Sequence, residues 1–190
     1  MAGSRTGAAH RTWILTASGN DRPGMVAGVT EVLFRLGGNL EDSAMTRLAG
    51  EFTIMLALTA PAALSAVKLE RAFAAVSRRF GLAVHLKAVT HRAAPSGPSH
   101  LISVYGADRP GIVYHVSHLL ASHRVNIIDL STHLAAPSKG RASRPPLYLL
   151  VLEVQLPSSL SVSRLEPRLR QLGKRLGVEI GCRAVDTAVL

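Results

Sequence analysis

Four consecutive residues, Asp21-Arg22-Pro23-Gly24, return letter for letter as Asp108-Arg109-Pro110-Gly111. The offset is 108 − 21 = 87 residues, and it also carries Gly19 onto Gly106, Val26 onto Val113, Asn39 onto Asn126 and Asp42 onto Asp129. Further along, the offset becomes 148 − 52 = 96, taking Phe52 onto Tyr148, Pro61 onto Pro157, Phe73 onto Leu169 and Gly81 onto Gly177. One structural unit used twice therefore accounts for most of the 190 residues. Each unit has about 80–90 residues, enough to bury a modest core of its own.

Hydrophobic periodicity within the unit alternates between strand and helix. Residues 13–18 are apolar and partly β-branched, which predicts a strand ending at Gly19. Apolar residues then fall at 25, 26, 29, 32, 33 and 36, one face of a helix that begins after Pro23 and stops at Gly37-Gly38. Two strands follow over 39–47 and 52–59, joined by a tight turn at Ala49-Gly50. A second helix carries Leu69, Phe73, Val76 and Phe80 at steps of 4, 3 and 4, ending at Gly81. Residues 82–90 alternate as a fourth strand. The second unit repeats this order, and its helix steps recur as Leu165, Leu169, Leu172 and Leu176. Ser163 and Glu166 have capping-box spacing, with Pro167 near the expected helix start.

The reading is α+β: two ferredoxin-like β-α-β-β-α-β domains, each an antiparallel sheet with both helices on one face. The expected organisation is a flexible tail over 1–11, a first domain over 12–91, a linker over 92–98 and a second domain over 99–190. The change of offset adds 96 − 87 = 9 residues around 135–146, rich in Pro, Ser, Arg and Lys, expected as an exposed, mobile loop.

Composition limits the function classes. Hydrophobic residues make up 47%, which argues against disorder, and no run of about 18 apolar residues predicts a membrane helix. The N-terminus has no apolar segment of the signal-peptide kind. Cys182 is the only cysteine, so no internal disulfide can form, consistent with a reducing cytoplasm. Lys and Arg number 22 against 12 Asp and Glu, a net charge of +10. The bases are scattered and aromatics are only 4%, so direct nucleic-acid binding is not expected.

The repeated motif delivers the first strand into the first helix. A helix start has free backbone N–H groups and the positive end of the dipole, so it suits a small anion such as a carboxylate. Gly24 and Gly111 lack a Cβ and let a ligand approach. Asn39 and Asn126 offer a donor and an acceptor, and are expected beside that first helical turn. Asp21 and Asp108 could cap the helix or attract an ammonium, and Arg22 and Arg109 could steer an anion. The same letters are also a good turn and helix start without any ligand. His115, His118 and His123 lack the further partners a metal site needs, and no metal or cofactor is expected. No nucleophile elbow, phosphate loop or acid–base set occurs.

Gly-x-Asp-Arg-Pro-Gly before an apolar helix, then Asn-[Leu/Ile]-x-Asp at the head of the second strand, resembles the ACT domain, a small-molecule-binding regulatory module. Asn39 to Ser43 with Met45 to Thr53 is similar to the glycine cleavage system transcriptional repressor family, a stand-alone pair of such domains. The resemblance implies amino-acid binding at interfaces between paired domains, with Gly24, Met25 and Asn39, and Gly111, Ile112 and Asn126, as matching positions. Asp21, Arg22 and Pro23, with Asp108, Arg109 and Pro110, complete the candidate set. It also implies action through a protein partner, since no DNA-reading helix is present. The expectation is a cytoplasmic, non-enzymatic amino-acid sensor with glycine or serine as the favoured ligand. A homodimer is left open. The alternatives are an interaction module without a ligand and a nucleic-acid-associated regulator.

Overall fold

The computed structural model describes residues 9–89, 99–135 and 146–185. The expected linker, the inserted loop from residue 136 to 145 and the N-terminal eight residues lie outside them. The chain divides into two compact units, Met1–Ala93 and Ala94–Leu190.

In the first unit, β1 (His10–Asn20), α1 (Met25–Arg35), β2 (Asn39–Leu48), β3 (Glu51–Pro61), α2 (Ala66–Phe80) and β4 (Ala83–Ala88) follow in order. The second unit repeats them as β5 (Ser99–Ala107), α3 (Ile112–Ser122), β6 (Asn126–Ala135), β7 (Leu147–Gln155), α4 (Val162–Leu176) and β8 (Val178–Ala184). The sheet orders are β2-β3-β1-β4 and β6-β7-β5-β8, with every pairing antiparallel. This is the predicted α+β, ferredoxin-like arrangement, found twice. Strand β1 starts at His10, so two residues assigned to the tail belong to the sheet.

Alternation decides which sheet face is buried. In β1, Trp13, Leu15 and Ala17 point inward, as do Ile54, Leu56 and Leu58 of β3. They meet Met25, Val29 and Leu33 of α1, and Leu69, Phe73, Val76 and Phe80 of α2. The second core is built alike, with Ile112, Val116 and Leu120 from α3 and Leu165, Leu169 and Leu172 from α4. Both central strands are covered, but all ten residues of the edge strand β2 are exposed.

Two local features depart from the expectations, and a third is additional to them. The N-cap of α4 is Ser161 and makes no side-chain cap bond, so Ser163 and Glu166 do not form a capping box. The helix starts 167 − 162 = 5 residues before Pro167, which lies inside it and removes one N–H from the ladder. Both second strands carry a bulge, at Leu40/Asp42 and at Ile127/Asp129. The extra residue puts Asn39 and Asp42 on the same sheet face, where strict alternation would separate them.

Gly24 and Gly111 are the N-caps of α1 and α3, with φ, ψ of 91°, −2° and 91°, −1°. These are the angles of the third residue of a type II turn, and proline is favoured just before it. The Pro-Gly pair is thus required by the backbone. Spare room is not the reason: a Cβ on Gly24 would meet the Phe80 ring at an ordinary 3.6 Å. Replacing Gly24 with Val should cost about 1–3 kcal/mol, because a β-branched residue is forced to positive φ. Gly24→Asn should cost less, since Asn tolerates that region. Chemical denaturation of the two variants beside the parent checks this; equal stability of the Val and Asn variants would contradict it.

Candidate functional site

The first turn is fastened at both ends. The Asp21 amide donates to the Gly50 carbonyl at 2.9 Å, which ties the end of β1 to the β2–β3 hairpin. The Arg22 amide points at the Met25 sulfur, 3.1 Å away, and Met25 itself is buried. Helix α1 has no side-chain cap and no acidic residue in its first turn. Its ladder begins with the Gly28 amide donating to the Gly24 carbonyl at 2.8 Å. The amides of Met25, Val26 and Ala27 precede that bond and have no partner within the helix. Asp21 does not cap the helix. Its carboxylate instead accepts from the Arg47 guanidinium at 3.1 Å.

These groups border an open groove of about 910 Å³, lined by the turn, the start of α1, and Met45, Arg47 and Phe52. Register explains the three additions. Met45 pairs with Ile54 and Arg47 with Phe52, so both share the helix-bearing face with those buried partners. The Ala49-Gly50 turn, with φ of 52° and 86°, folds β2 back so that Arg47 lies across from Phe52 beside the end of β1. Counting outward from that turn would have found Arg47; the sequence reading did not. The groove thus holds a carboxylate, two guanidinium groups, free helix-start amides and an apolar floor. Such a set can take both ends of a zwitterion.

Asn39 is not beside the turn. It pairs with Thr59, whereas the turn adjoins Phe52, and 59 − 52 = 7 residues of strand span about 23 Å. Asn39 also shares its face with Thr59, away from the helices and the buried Leu58 and Ala60. Asn126 is placed alike, opposite Gln155, while Asp108 follows the Ala107–Leu147 pair. The reason is topological. Helix α1 runs the length of the sheet before β2 begins, so the two motifs fall at opposite ends.

The second turn keeps the backbone and changes its surroundings. The Asp108 amide donates to the Pro146 carbonyl at 3.1 Å. Leu134 occupies the position of Arg47, so Asp108 has no equivalent of the Asp21–Arg47 pair. Arg109 is drawn to the end of α4, where it donates to the Leu176 carbonyl at 3.3 Å. Tyr148 replaces Phe52, and burial, followed by the Asp108 carboxylate, pushes its hydroxyl pKa up. The lone cysteine, Cys182, packs half-buried on β8, its thiol pKa raised by burial and by Glu166. Among the described residues no group of three His, Cys, Asp or Glu could hold a metal ion, and no helix is long and apolar enough to cross a membrane.

Comparison with known proteins agrees with this fold. The glycine cleavage system transcriptional repressor of Escherichia coli is 27% identical over 175 residues, covering 91% of this chain and 90% of that protein. A crystal structure of an unknown protein from Galdieria sulphuraria shares the fold over 93% of this chain and 99% of its own, with a TM-score of 0.80 and 24% identity. A second crystal structure, of a candidate glycine cleavage system transcriptional repressor, covers 93% and 98% with a TM-score of 0.70 and 17% identity. The ACT domain profile itself matches residues 11–87 and 100–135. With both repeats matched and the β-α-β-β-α-β fold present in each unit, the chain belongs to the ACT domain family.

Proposed function

We propose that this protein is a non-enzymatic, cytoplasmic regulator that binds a small amino acid at its first Asp-Arg-Pro-Gly turn and modulates a protein partner. The observation that carries the proposal is the groove at the start of α1, lined both by residues with uncapped amides and by the Asp21–Arg47 pair. The ligand carboxylate lies against the amides of Met25 to Ala27 and the Arg47 guanidinium. Its ammonium exchanges for Arg47 on Asp21. Arg22 adds positive charge, while Pro23 and Gly24 hold the turn that aims the amides. Glycine or serine is favoured: the name of the Escherichia coli relative supports a link to glycine, and the polar contacts all cluster at the backbone.

The two turns are not equivalent in this proposal. Arg109 is already engaged by the Leu176 carbonyl and no arginine replaces Leu134, so the second turn, with Pro110, Gly111 and Ile112, is the weaker site. Asn39 and Asn126, on the opposite sheet face, take no part in this site; the free edges of β2 and β6 are open to pairing with another ACT domain. Edge strands of this length and exposure suit such pairing.

Calorimetry of the full chain with glycine and with serine tests the reading. Arg47→Ala should weaken binding roughly 5- to 150-fold, on the order of 1–3 kcal/mol for lost charge-assisted bonds. Its stability should change little, since an exposed ion pair contributes at most about 1 kcal/mol. Unchanged affinity in Arg47→Ala would place the ligand elsewhere. Absence of amino-acid binding at millimolar concentration would favour an interaction module without a ligand.

A further inference from the structure

The helical layer of the second unit carries a groove of its own. Helix α3 leads from β5 to β6 and α4 from β7 to β8; β5 and β7 run in opposite directions, so the two helices run antiparallel to each other. Between them lies a groove of about 380 Å³, to which α3 contributes His115, His118 and Ser122 and α4 contributes Arg168, Gln171 and Arg175. The volume is within the range of about 300–1,000 Å³ typical of small-molecule sites.

Its chemistry is one-sided. No carboxylate lines it, and Glu166 faces a different cleft, toward Ile180 and Cys182. Arg168 and Arg175 are seven residues apart (175 − 168), two helical turns or about 10.5 Å along α4. Among the described residues neither forms an ion pair. Guanidinium forks match phosphate oxygens, and the imidazoles and the Gln171 amide add donors between them.

The first unit is the control supplied by the repeat. Gly28, Glu31 and Arg35 stand where the second unit has His115, His118 and Ser122, and Ala72, Ala75 and Arg79 stand for Arg168, Gln171 and Arg175. There Arg35 pairs with Glu31, and Arg79 lies over the Phe80 ring at 5.0 Å. A Cβ on Gly28 would come within 2.9 Å of Phe80 and 2.8 Å of Val76, so a side chain is excluded from that position. Leu176 replaces Phe80 in the second unit, and His115 occupies the position of Gly28. At these equivalent positions the first unit packs Gly28 tightly against α2 and includes the acid Glu31; the second leaves a cavity whose lining has no acid.

We propose that the groove between α3 and α4 binds a small molecule carrying a diphosphate or two phosphate groups, anchored by Arg168 and Arg175. It is independent of the amino-acid groove of the first unit. Calorimetry of the full chain with pyrophosphate and with inorganic phosphate, at matched ionic strength, tests it. Pyrophosphate should bind more tightly than phosphate. Arg168→Gln and Arg175→Gln, both at exposed positions, should each weaken it by at least about tenfold, the loss expected for one charge-assisted contact. Arg164→Gln on α4 outside the groove and Arg79→Gln in the first unit should bind like the parent. Equal weakening by all four variants would show diffuse attraction to a basic surface and overturn the proposal. So would no pyrophosphate binding at millimolar concentration. Tighter binding of duplex DNA, lost with Arg164→Gln as readily as with Arg168→Gln, would also overturn it in favour of a nucleic-acid surface.

Discussion

A positive φ at one residue sets the geometry on which the site depends. Gly24 turns the chain from the end of β1 into α1 with φ of 91°, and Gly111 does the same with φ of 91° for α3. That single left-handed residue lets the strand finish its pairing, reverses the chain, and starts the helix within two residues. It also leaves the first helical amides without a side-chain cap. A capping Ser or Asp would satisfy one of them; a glycine cap leaves them all open. The same backbone requirement that makes the fold therefore makes the groove polar.

The repeat separates what the fold needs from what is particular to each copy. Both copies keep the glycine, the buried helix face and the bulge in the second strand. They differ around the turn: Arg47 against Leu134, Phe52 against Tyr148, and an arginine at the motif that in the second copy is tied to the Leu176 carbonyl. They differ again on the outer helices, where Gly28 against Phe80 becomes His115 with Leu176. Two copies of one scaffold therefore present different surfaces.

Element order and type were legible because the signals are local. Helix steps of 4, 3 and 4 mark α2 and α4, and each Pro-Gly marks a helix start. The site was less legible because it depends on which ends of elements meet. Asn39 is close to the turn in a list of motifs yet about 23 Å away on the strand, since α1 traverses the sheet between them. Asn39 follows Gly37-Gly38, whereas Asn126 follows Arg124-Val125 with no glycine. In the structure Arg124 takes φ of 58°, close to the 67° of Gly37, so the same turn forms in both copies without the glycine. Arg47 was overlooked because nothing around it is unusual in sequence; only hairpin register brings it to Asp21. Pro167 inside α4 shows that tertiary packing of Leu165, Leu169 and Leu172 outweighs one lost helical bond.

The central claim is that open helix-start amides together with the Asp21–Arg47 pair, and not the turn motif as such, make the ligand site. Amide chemical-shift mapping of the full chain during a glycine titration tests it directly. The account predicts saturable shifts at Met25, Val26, Ala27 and Arg47, with those at Ile112, Val113 and Tyr114 smaller or requiring more ligand. Equal shifts at both turns would contradict the difference drawn from Arg47 and Arg109, and shifts confined to residues outside the groove would contradict the site itself.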